Sequence, residues 1–417
     1  MNQSGPTAEA PAPHRPLAGT RVIDLSRIVS GPLCGRLLAD LGAEVVKIEP
    51  PGGDTTRRVG PEIDGVGAYF AQMNAGKRNV CLDLEAEGAP EVVARLATRA
   101  DVLIENFRPG VMARFGLDAS VLCAVNPRLV YCSITGWGQD GPWAGRKGAA
   151  PTIHAEAGAT ATAAAHRGRP YEHEVQQHAD VYSALLASNA VTAALLERAA
   201  TGRGQHLDLA MAQAAVYVND WAAVSMHGPT DRFGGFDTWN YHFYPLGDGS
   251  HVTILGPLEM TFEAWARALG GEELLRDPRF ATPAARSGRV DELVEALGTL
   301  TVGFADLAAL ERALGPGPMV AQVRSLPELA ATEWARHRGL MREVSPGNPV
   351  PAAPWRSDTS EVGAAPLVRS MGADNRAVLS EAGFSASEVD ELYRLGALRE
   401  LQPARAEVSR RGRPGPL

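Results

Sequence analysis

The sequence predicts an α/β protein whose larger part is built on a parallel, doubly wound sheet. Two observations carry this prediction. Short runs rich in Val, Ile and Leu alternate with longer segments of helical spacing, which is the order of strands and helices in βαβ units. Gly and Pro clusters separate these runs, as expected for turns. After residue 230 the sequence pattern changes to that of short helices and turns, which predicts a second, smaller α+β domain.

The elements of the larger domain can be placed in chain order. Strands are predicted at 21–25, 44–49, 80–84, 101–106 and 129–134, and helices at 31–41, 90–99 and 117–125. Pro32 suits the first turn of the first helix. Sites on parallel sheets lie at the carboxyl ends of the strands. Function is therefore expected in segments 26–31, 49–54, 106–109 and 135–141.

A long apolar helix is predicted at 180–198, with Asp180 at its head and Thr201-Gly202-Arg203-Gly204-Gln205 after it. Two interpretations of Asp180 stay open on this segment. Asp is a favoured N-cap, because its carboxylate accepts hydrogen bonds from the first free backbone N–H groups. The positive end of a helix also keeps a nucleophilic carboxylate ionised. Gly202 or Gly204 supplies the left-handed stop.

The remaining segments complete the expected organisation. Residues 142–179 look irregular, and a strand at 206–209 and a helix from Met211 follow. We expect a disordered leader at 1–16, the large domain at 17–230 and the small domain at 231–324. A return segment at 325–400, with a helix at 385–395, would complete the large domain, and a disordered tail would occupy 401–417.

Composition excludes several classes of partner. The net charge is −8 and the pI about 5.7, which argues against nucleic acid or an anionic membrane. We find no apolar run of membrane-span length and no secretory signal pattern. The cysteines lack C-x-x-C spacing, which predicts free thiols in a reducing cytoplasm. They are Cys34, Cys81, Cys123 and Cys132.

Three familiar chemistries do not match the spacing of the residues. The turn Gly31-Pro32-Leu33-Cys34-Gly35 lacks the G-x-G-x-x-G of nicotinamide dinucleotide sites. His173 and His178 are five residues apart, whereas zinc ligands on one helix face need i, i+4 spacing. A G-x-S-x-G nucleophile elbow is missing. We therefore expect no metal and no nicotinamide cofactor.

Several segments, taken together and in order, resemble the family III CoA-transferases, which include formyl-CoA transferase, carnitine CoA-transferase and α-methylacyl-CoA racemase. The segments are Leu17–Leu25, Ala39–Glu49, Gly53-Asp54 with Arg57, Asn74–Arg78, Asp101–Gly110, Ile134–Gly138, Asp180 and Thr201–Gln205, with weaker similarity at Asp248-Gly249 and Asp277–Phe280. The resemblance covers residues 17–400. It implies a Rossmann-like large domain with a small domain, two interlocked subunits, and a catalytic aspartate that matches Asp180.

The resemblance also implies a substrate site and a reaction. CoA would lie against a set of residues from the large domain, namely Ile28, Val29, Asn74, Lys77, Arg78, Asn106, Phe107, Arg108 and Lys147. CoA would pass from an acyl-CoA thioester to a free carboxylic acid through a mixed anhydride and an aspartyl-CoA thioester on Asp180. Neither ATP nor a metal is needed for this exchange.

Departures from the family pattern narrow these expectations. The racemases place a histidine where Ala149 stands, and enolisation needs a base and an acid on opposite faces. Oxalate-type transferases tend to have glutamine at Val29 and arginine at Pro50, and both differences argue against formyl-CoA and oxalate as the substrate pair. The stretch Ala159–Gln177 also differs from the family. Two alternatives stay open, an acyl-CoA racemase or isomerase and a CoA-ester binding protein without turnover.

Overall fold

The computed structural model describes residues 14–63, 65–167, 170–227, 242–256 and 258–400. The predicted leader lies outside the described residues except for 14–16, and the predicted tail lies outside them entirely. The sequence also predicts strand and turn at 239–249, and the first three residues of that segment lie outside the described residues.

The secondary structure is as follows. The strands are β1 Arg21–Asp24, β2 Glu44–Glu49, β3 Glu62–Ile63, β4 Val66–Gly67, β5 Arg78–Cys81, β6 Val102–Glu105, β7 Val130–Thr135, β8 His206–Ala210, β9 Phe243–Pro245, β10 His251–Leu255, β11 Met319–Gln322, β12 Met341–Ser345 and β13 Asn348–Pro351. The helices are α1 Ser30–Asp40, α2 Ala68–Asn74, α3 Ala89–Ala97, α4 Val111–Arg114, α5 Ala119–Val125, α6 Ala150–Glu156, α7 Ala159–Arg167, α8 His178–Thr201, α9 Met211–Tyr217, α10 Ala222–His227, α11 Leu258–Ala268, α12 Glu272–Leu275, α13 Pro283–Ser287, α14 Val290–Thr301, α15 Leu307–Leu314, α16 Leu326–Ala330, α17 Glu333–Arg338, α18 Asn375–Glu381 and α19 Ala386–Arg394. Short 3-10 turns occur at Thr55–Arg58 and Pro278–Phe280.

The main sheet has six strands in the order β5-β2-β1-β6-β7-β8, and every neighbouring pair is parallel. The α/β fold class is therefore confirmed. From β1 the chain builds towards β5 on one side and later towards β8 on the other. A crevice opens at the carboxyl ends of β1 and β6, where the strand order reverses.

Apolar layers cover both faces of this sheet, because successive side chains of a strand point to opposite sides. Val22 and Ile104 face the layer that contains α1 and α8. Ile23 and Leu103 face the layer that contains α3, α5, α18 and α19. Helices from the carboxyl-terminal part of the chain thus complete the second layer.

Helix α8 runs across the first layer and ends at Gly202, whose φ of 74° makes it the left-handed stop. Its small residues Ala184, Ala187 and Val191 are fully buried in the same core cluster as α1. By length and composition α8 could cross a membrane, contrary to our expectation that no run is long enough. The buried face of α8 explains this composition, because a core helix of an α/β domain can be as long and as apolar as a membrane-spanning helix.

The chain divides into two compact units. The first contains the residues up to Ala161, Tyr171–Asp220 and those from Arg336 onward, and the second contains Thr162–Pro170 and Trp221–Ala335. The predicted boundaries at 230 and 324 fall within the second unit. This unit has an antiparallel sheet in the order β11-β10-β9. Its core includes Tyr244, Phe262 and Trp265.

Two helices were missed in the segment predicted to be irregular. Pro151 lies in the first turn of α6, and the N–H of Ala149 donates to the Thr152 hydroxyl at 3.0 Å, which stabilises that end of the helix. Helix α7 is rich in alanine, the residue of highest helix propensity. The strand predicted at 80–84 lies instead at Arg78–Cys81.

Candidate active site

Two loops meet in the crevice at the carboxyl ends of β1 and β6. The Asn106 side chain joins them, because its Oδ1 accepts from the Arg27 N–H at 2.8 Å and its Nδ2 donates to the Arg27 carbonyl at 2.8 Å. The same Nδ2 donates to the Ser30 Oγ at 3.2 Å. The loop after β1 is therefore fixed against the loop after β6.

Asp180 lies in the first turn of α8, which begins at His178 and has Gln177 at the N-cap position. Its carboxylate faces three donors, the Ser30 N–H, the Ser30 hydroxyl and the Ala150 N–H, each of which lowers the pKa of the carboxyl. Ser30 and Ala150 are the first residues of α1 and α6, so the amino ends of three helices converge on one carboxylate. The interpretation of Asp180 as a plain N-cap is therefore wrong.

The environment of Asp180 gives it an unusual acidity. Burial raises the pKa of its carboxyl from 3.8 to about 6, and the hydrogen bonds from Ser30 and Ala150 offset part of that rise. At neutral pH the group is mostly ionised and only partly solvated. The neighbouring Tyr69 stays neutral, since burial and the charge of Asp180 both raise the pKa of its phenol.

The direction of the Ser30 hydroxyl follows from its partners. An amide nitrogen can only donate, so the contact from the Asn106 Nδ2 occupies a lone pair of the Ser30 Oγ. The hydroxyl proton is then left for Asp180, in agreement with the hydrogen bond that lowers the carboxyl pKa.

A buried histidine joins α6 to the start of α8. The Nε2 of His154 accepts from the Ala179 N–H at 3.0 Å, which requires a neutral imidazole with its proton on Nδ1. Burial, and then the proximity of His178, lower the pKa of His154. The imidazole therefore fixes the residue before Asp180 and has no free lone pair for acid–base chemistry.

A cavity of about 730 Å³ opens in front of Asp180. Its walls come from the loops after β1, β6 and β7, from the segment before α8 and from the start of α9. Among the described residues that line it, Asp180 is the single carboxylate, no histidine is present, and Arg27, Arg108 and Arg146 supply positive charge.

A second pocket of about 230 Å³ adjoins this cavity. The two share Arg27, Phe107 and Val111, and the Arg27 guanidinium lies 5.3 Å from the centroid of the Phe107 ring. Apolar side chains such as Leu84 line the rest of the pocket together with Glu49, Asp83, Glu85 and Arg114. The pair of pockets could hold an elongated ligand with an aromatic end.

The sequence itself settles the family. A profile of CoA-transferase family III matches residues 17–375. The chain belongs to this family. It is 35% identical over 342 residues to the succinate–glutarate CoA-transferase of Agrobacterium fabrum, covering 78% of this chain and 84% of that protein. It is 33% identical over 382 residues to the acetyl-CoA:oxalate CoA-transferase of Acetobacter aceti, covering 88% of this chain and 97% of that protein.

Solved structures agree with this assignment. A CaiB/BaiF family protein from Brucella suis has 31% sequence identity and a TM-score of 0.78, covering 88% of this chain and 100% of that protein. Because the relatives named above are CoA-transferases, the chain is a CoA-transferase. The substrates of such enzymes are CoA thioesters.

The transferase brings five of the nine predicted CoA contacts together at the cavity. These residues are Ile28, Val29, Asn106, Phe107 and Arg108. Their role in CoA binding stays a prediction, and Asn106 also has the structural role described above.

Lys77 and Asn74 do not line the cavity of the transferase. The Lys77 ammonium is buried and donates to the Asp24 Oδ2 at 2.7 Å, to the Pro32 carbonyl at 2.7 Å and to the Asn74 Oδ1 at 2.9 Å. Burial lowers the pKa of Lys77 to about 8, although Asp24 opposes this. Its three donors are used inside the protein, which corrects the expectation that Lys77 contacts CoA.

Arg78 and Lys147 are also placed away from the cavity wall. Arg78 begins β5, at the amino edge of the sheet, and pairs with Glu44 at 2.7 Å and Glu381 at 2.6 Å. Lys147 is exposed, and its carbonyl accepts from the Trp137 Nε1 at 3.4 Å. Its neighbour Arg146 is the basic residue of that loop that lines the cavity.

Sequence reasoning missed the groups that hold the nucleophile. Ser30 precedes the Gly31-Pro32 pair that marks the start of α1, so its place at a helix amino end was within reach of the sequence. Ala150 acts through its backbone N–H, and no side chain signals that role. Among the residues that the structure describes, no group of three or more His, Cys, Asp or Glu could hold a metal ion.

Proposed function

We propose that this CoA-transferase moves CoA from an acyl-CoA thioester to a free carboxylic acid through covalent intermediates on Asp180. One observation carries the proposal. Asp180 is the single carboxylate among the described residues of a large cavity, and three donors from two other helices point at it.

The first half of the reaction loads the enzyme. A carboxylate oxygen of Asp180 attacks the thioester carbon, the C–S bond breaks, and CoA leaves as a thiolate. The product is a mixed anhydride between Asp180 and the acyl group. The thiolate then attacks the carbonyl carbon of Asp180, which releases the donor acid as a carboxylate and leaves an aspartyl-CoA thioester.

The second half runs in the opposite direction with a different acid. The acceptor carboxylate attacks the carbonyl carbon of the aspartyl thioester and releases the thiolate, which forms a second mixed anhydride. The thiolate attacks the acyl carbon of the acceptor, and Asp180 leaves as a carboxylate. One thioester and one carboxylate are consumed and one of each is formed, so no net proton is needed.

The electrostatics at Asp180 suit these steps. A carboxyl with a pKa of about 6 is available as an anion at neutral pH, and its incomplete solvation removes part of the water that would shield it. When the thiolate adds to Asp180, negative charge develops on a carboxyl oxygen. The N–H groups of Ser30 and Ala150 and the Ser30 hydroxyl already point there, as an oxyanion site requires.

The adjoining pockets support a position for CoA. The thioester end belongs beside Asp180, and the pocket between Leu84 and Phe107 fits a flat, apolar group such as the adenine. Arg27 and Arg108 lie near the junction of the two pockets, where they could bind phosphate oxygens.

The acids to test first follow from charge and from the relatives. The relatives named above are a succinate–glutarate and an acetyl-CoA:oxalate CoA-transferase, and succinate, glutarate and oxalate each carry two carboxylates. Arg146 pairs with Glu156 through one guanidinium nitrogen and lines the cavity on the side of the β7 loop, where its other N–H groups could bind a second carboxylate. We therefore propose succinate and glutarate as the first acceptors to test, with oxalate, which Val29 and Pro50 disfavour, as the comparison.

The racemase alternative is weakened by the cavity. Ala149 lines it at the position where the resemblance places a histidine in racemases, no described lining residue is a histidine, and the Nε2 of His154 is used by the Ala179 N–H. Deuterium wash-in at the α-carbon of an acyl-CoA tests this directly. A CoA-ester binding protein without turnover would bind acyl-CoA and never exchange it.

Assembly and location are further parts of the proposal. Strand β8 forms the edge of the sheet, and apolar side chains on the nearby helices are exposed, such as Leu196 at 75% and Tyr217 at 79%. These exposed groups support an interlocked homodimer, which light scattering would test. Four free cysteines support a cytoplasmic location.

The decisive variant is Asp180→Asn, which keeps the shape of the side chain and removes the nucleophile. We expect exchange between labelled CoA and acyl-CoA to be lost and CoA binding, measured by calorimetry, to be kept. Asp118→Asn is the matched control, because Asp118 caps α5 on the surface and should leave exchange unchanged. Full exchange by Asp180→Asn would refute the proposed nucleophile.

A further inference from the structure

The backbone beside the active site contains one conformation that the local sequence does not explain. Ile28 is the sole non-glycine residue with positive φ among those described, at 70°. This left-handed region strongly disfavours a β-branched side chain. The Ile28 side chain is 52% exposed and lines the catalytic cavity, so packing of that side chain does not account for the conformation.

A buried carboxylate holds Ile28 through its backbone. The Ile28 N–H donates to the Asp54 Oδ2 at 3.0 Å. The Asp54 Oδ1 accepts from the Thr56 N–H at 2.9 Å and from the Thr56 hydroxyl at 2.7 Å. The ammonium of Lys47 lies 3.8 Å from the Asp54 Oδ2. Although burial alone would raise it, the pKa of Asp54 is lowered by Lys47, Thr56 and Ile28 together.

The residues on either side of Ile28 connect this contact to the nucleophile. On one side, the carbonyl of Ser26 accepts a hydrogen bond from Lys47, so one buried ammonium fixes both Ser26 and Asp54. On the other side, Ser30 follows two residues later and supplies two of the three donors to Asp180. The backbone torsion at Ile28 therefore sets where Ser30 points.

We propose that Asp54, held in place by Lys47, is a positioning residue that keeps Ile28 in the left-handed conformation and so aims the Ser30 donors at Asp180. Asp54 does not itself line the cavity, and it acts through Ile28 and Ser30. The inference rests on the proposed function for its catalytic consequence. Its structural consequence, the acidity of Asp180, is measurable without any substrate.

A double-mutant cycle with Ile28→Gly separates positioning from general stability. Glycine adopts positive φ without strain, so it no longer needs the Asp54 contact to reach this conformation. In the native background Asp54→Ala should lower kcat about 10- to 100-fold, the loss that a misplaced donor causes. Combined with Ile28→Gly, the same change should lower kcat by less than about threefold relative to Ile28→Gly alone.

The acidity of Asp180 provides the activity-independent measurement. Selective 13C labelling of aspartate and an NMR pH titration would follow its carboxyl in each variant. We expect Asp54→Ala to raise the Asp180 pKa, since the Ser30 donors move away, and Ile28→Gly to bring it back. Asp40→Ala is the matched control, because the buried Asp40 likewise holds a backbone N–H, that of Ala364 at 2.6 Å. It should lower the melting temperature and leave the Asp180 titration unchanged.

Three outcomes decide the matter. An equal loss of kcat in both backgrounds would show that Asp54 only stabilises its own loop, and would overturn the proposal. An Asp180 titration unmoved by Asp54→Ala would overturn it as well. A titration that shifts as expected, in a protein that transfers no CoA, would support the positioning role and reject the proposed function.

Asp54→Asn replaces Asp54→Ala if the alanine variant does not fold. An amide that keeps its oxygen towards Thr56 turns its NH₂ group towards the Ile28 N–H and Lys47. It therefore breaks the same contact with little change in volume, and the same cycle applies to it.

Discussion

Removing the Ser30 hydroxyl is the most direct test of how the protein controls its nucleophile. Ser30→Ala deletes one of the three donors that face the Asp180 carboxylate and lower its pKa. A hydrogen bond to a charged group contributes roughly 1.5–3 kcal/mol, and the lower end applies here because two N–H donors remain. Since ~1.4 kcal/mol corresponds to one pH unit, the pKa of Asp180 should rise from about 6 to about 7.

The pH dependence of the reaction makes this shift visible. Asp180 must be ionised to attack, so kcat/KM should rise with pH and level off above the pKa of the free enzyme. At pH 6 the ionised fraction would fall from about one half to about one tenth, which lowers kcat/KM about fivefold. Well above pH 8 the ionised fractions of the native protein and Ser30→Ala become nearly equal.

Ser183→Ala is the matched control for this experiment. Ser183 is fully buried one turn further along α8, and its hydroxyl donates to the Ala179 carbonyl at 2.7 Å. Its removal should leave the acidic limb at the native position. An unshifted limb in Ser30→Ala, or an equal shift in Ser183→Ala, would refute the hydrogen-bond argument.

Further predictions concern the surrounding framework. Lys77→Met should lower the free energy of unfolding, measured with urea, by on the order of 3 kcal/mol, because it removes an ion-pair partner of the buried Asp24 carboxylate. A loss below about 1 kcal/mol would contradict this. In His154→Gln the non-titrating amide still accepts from the Ala179 N–H, whereas protonation of the native imidazole ends that contact. The native protein should therefore lose stability relative to this variant as pH falls below 6.5, because the pKa of His154 is lowered in the folded state. Parallel curves of stability against pH for the two proteins would contradict this prediction. Gly136→Ala should reduce kcat, since the new Cβ would lie 2.9 Å from the backbone of Gly148, which also lines the cavity and would have to shift. Native kcat would show that the loop tolerates the change.

Much of the large domain follows from local pattern. The strands at Arg21–Asp24, Glu44–Glu49 and Val102–Glu105 are short apolar runs bounded by turn residues, so their existence and the parallel sheet could be predicted. The helix ending at Gly202 was equally clear. Asp180 could be singled out because it matches the catalytic aspartate that the family resemblance implies, whereas a carboxylate at the start of a helix is by itself an ordinary N-cap.

The surroundings of Asp180 could not be predicted in the same way. Its donors come from Ser30 and Ala150, which lie far from it in sequence and meet it only because α1 and α6 begin at the same edge of the sheet. Lys77 shows the opposite failure. The family motif predicted that Lys77 contacts CoA. In the fold, however, Asp24 lies next to Lys77. The Lys77 ammonium therefore forms a buried ion pair with Asp24 instead of binding CoA.

The central claim is that Asp180 becomes acylated during turnover. The protein should be incubated with succinyl-, glutaryl-, oxalyl- and acetyl-CoA, quenched with hydroxylamine, and digested for mass spectrometry. We predict a hydroxamate on Asp180, formed only when acyl-CoA is present and lost in Asp180→Asn. An unmodified Asp180 in protein that demonstrably exchanges CoA during the same incubation would contradict it.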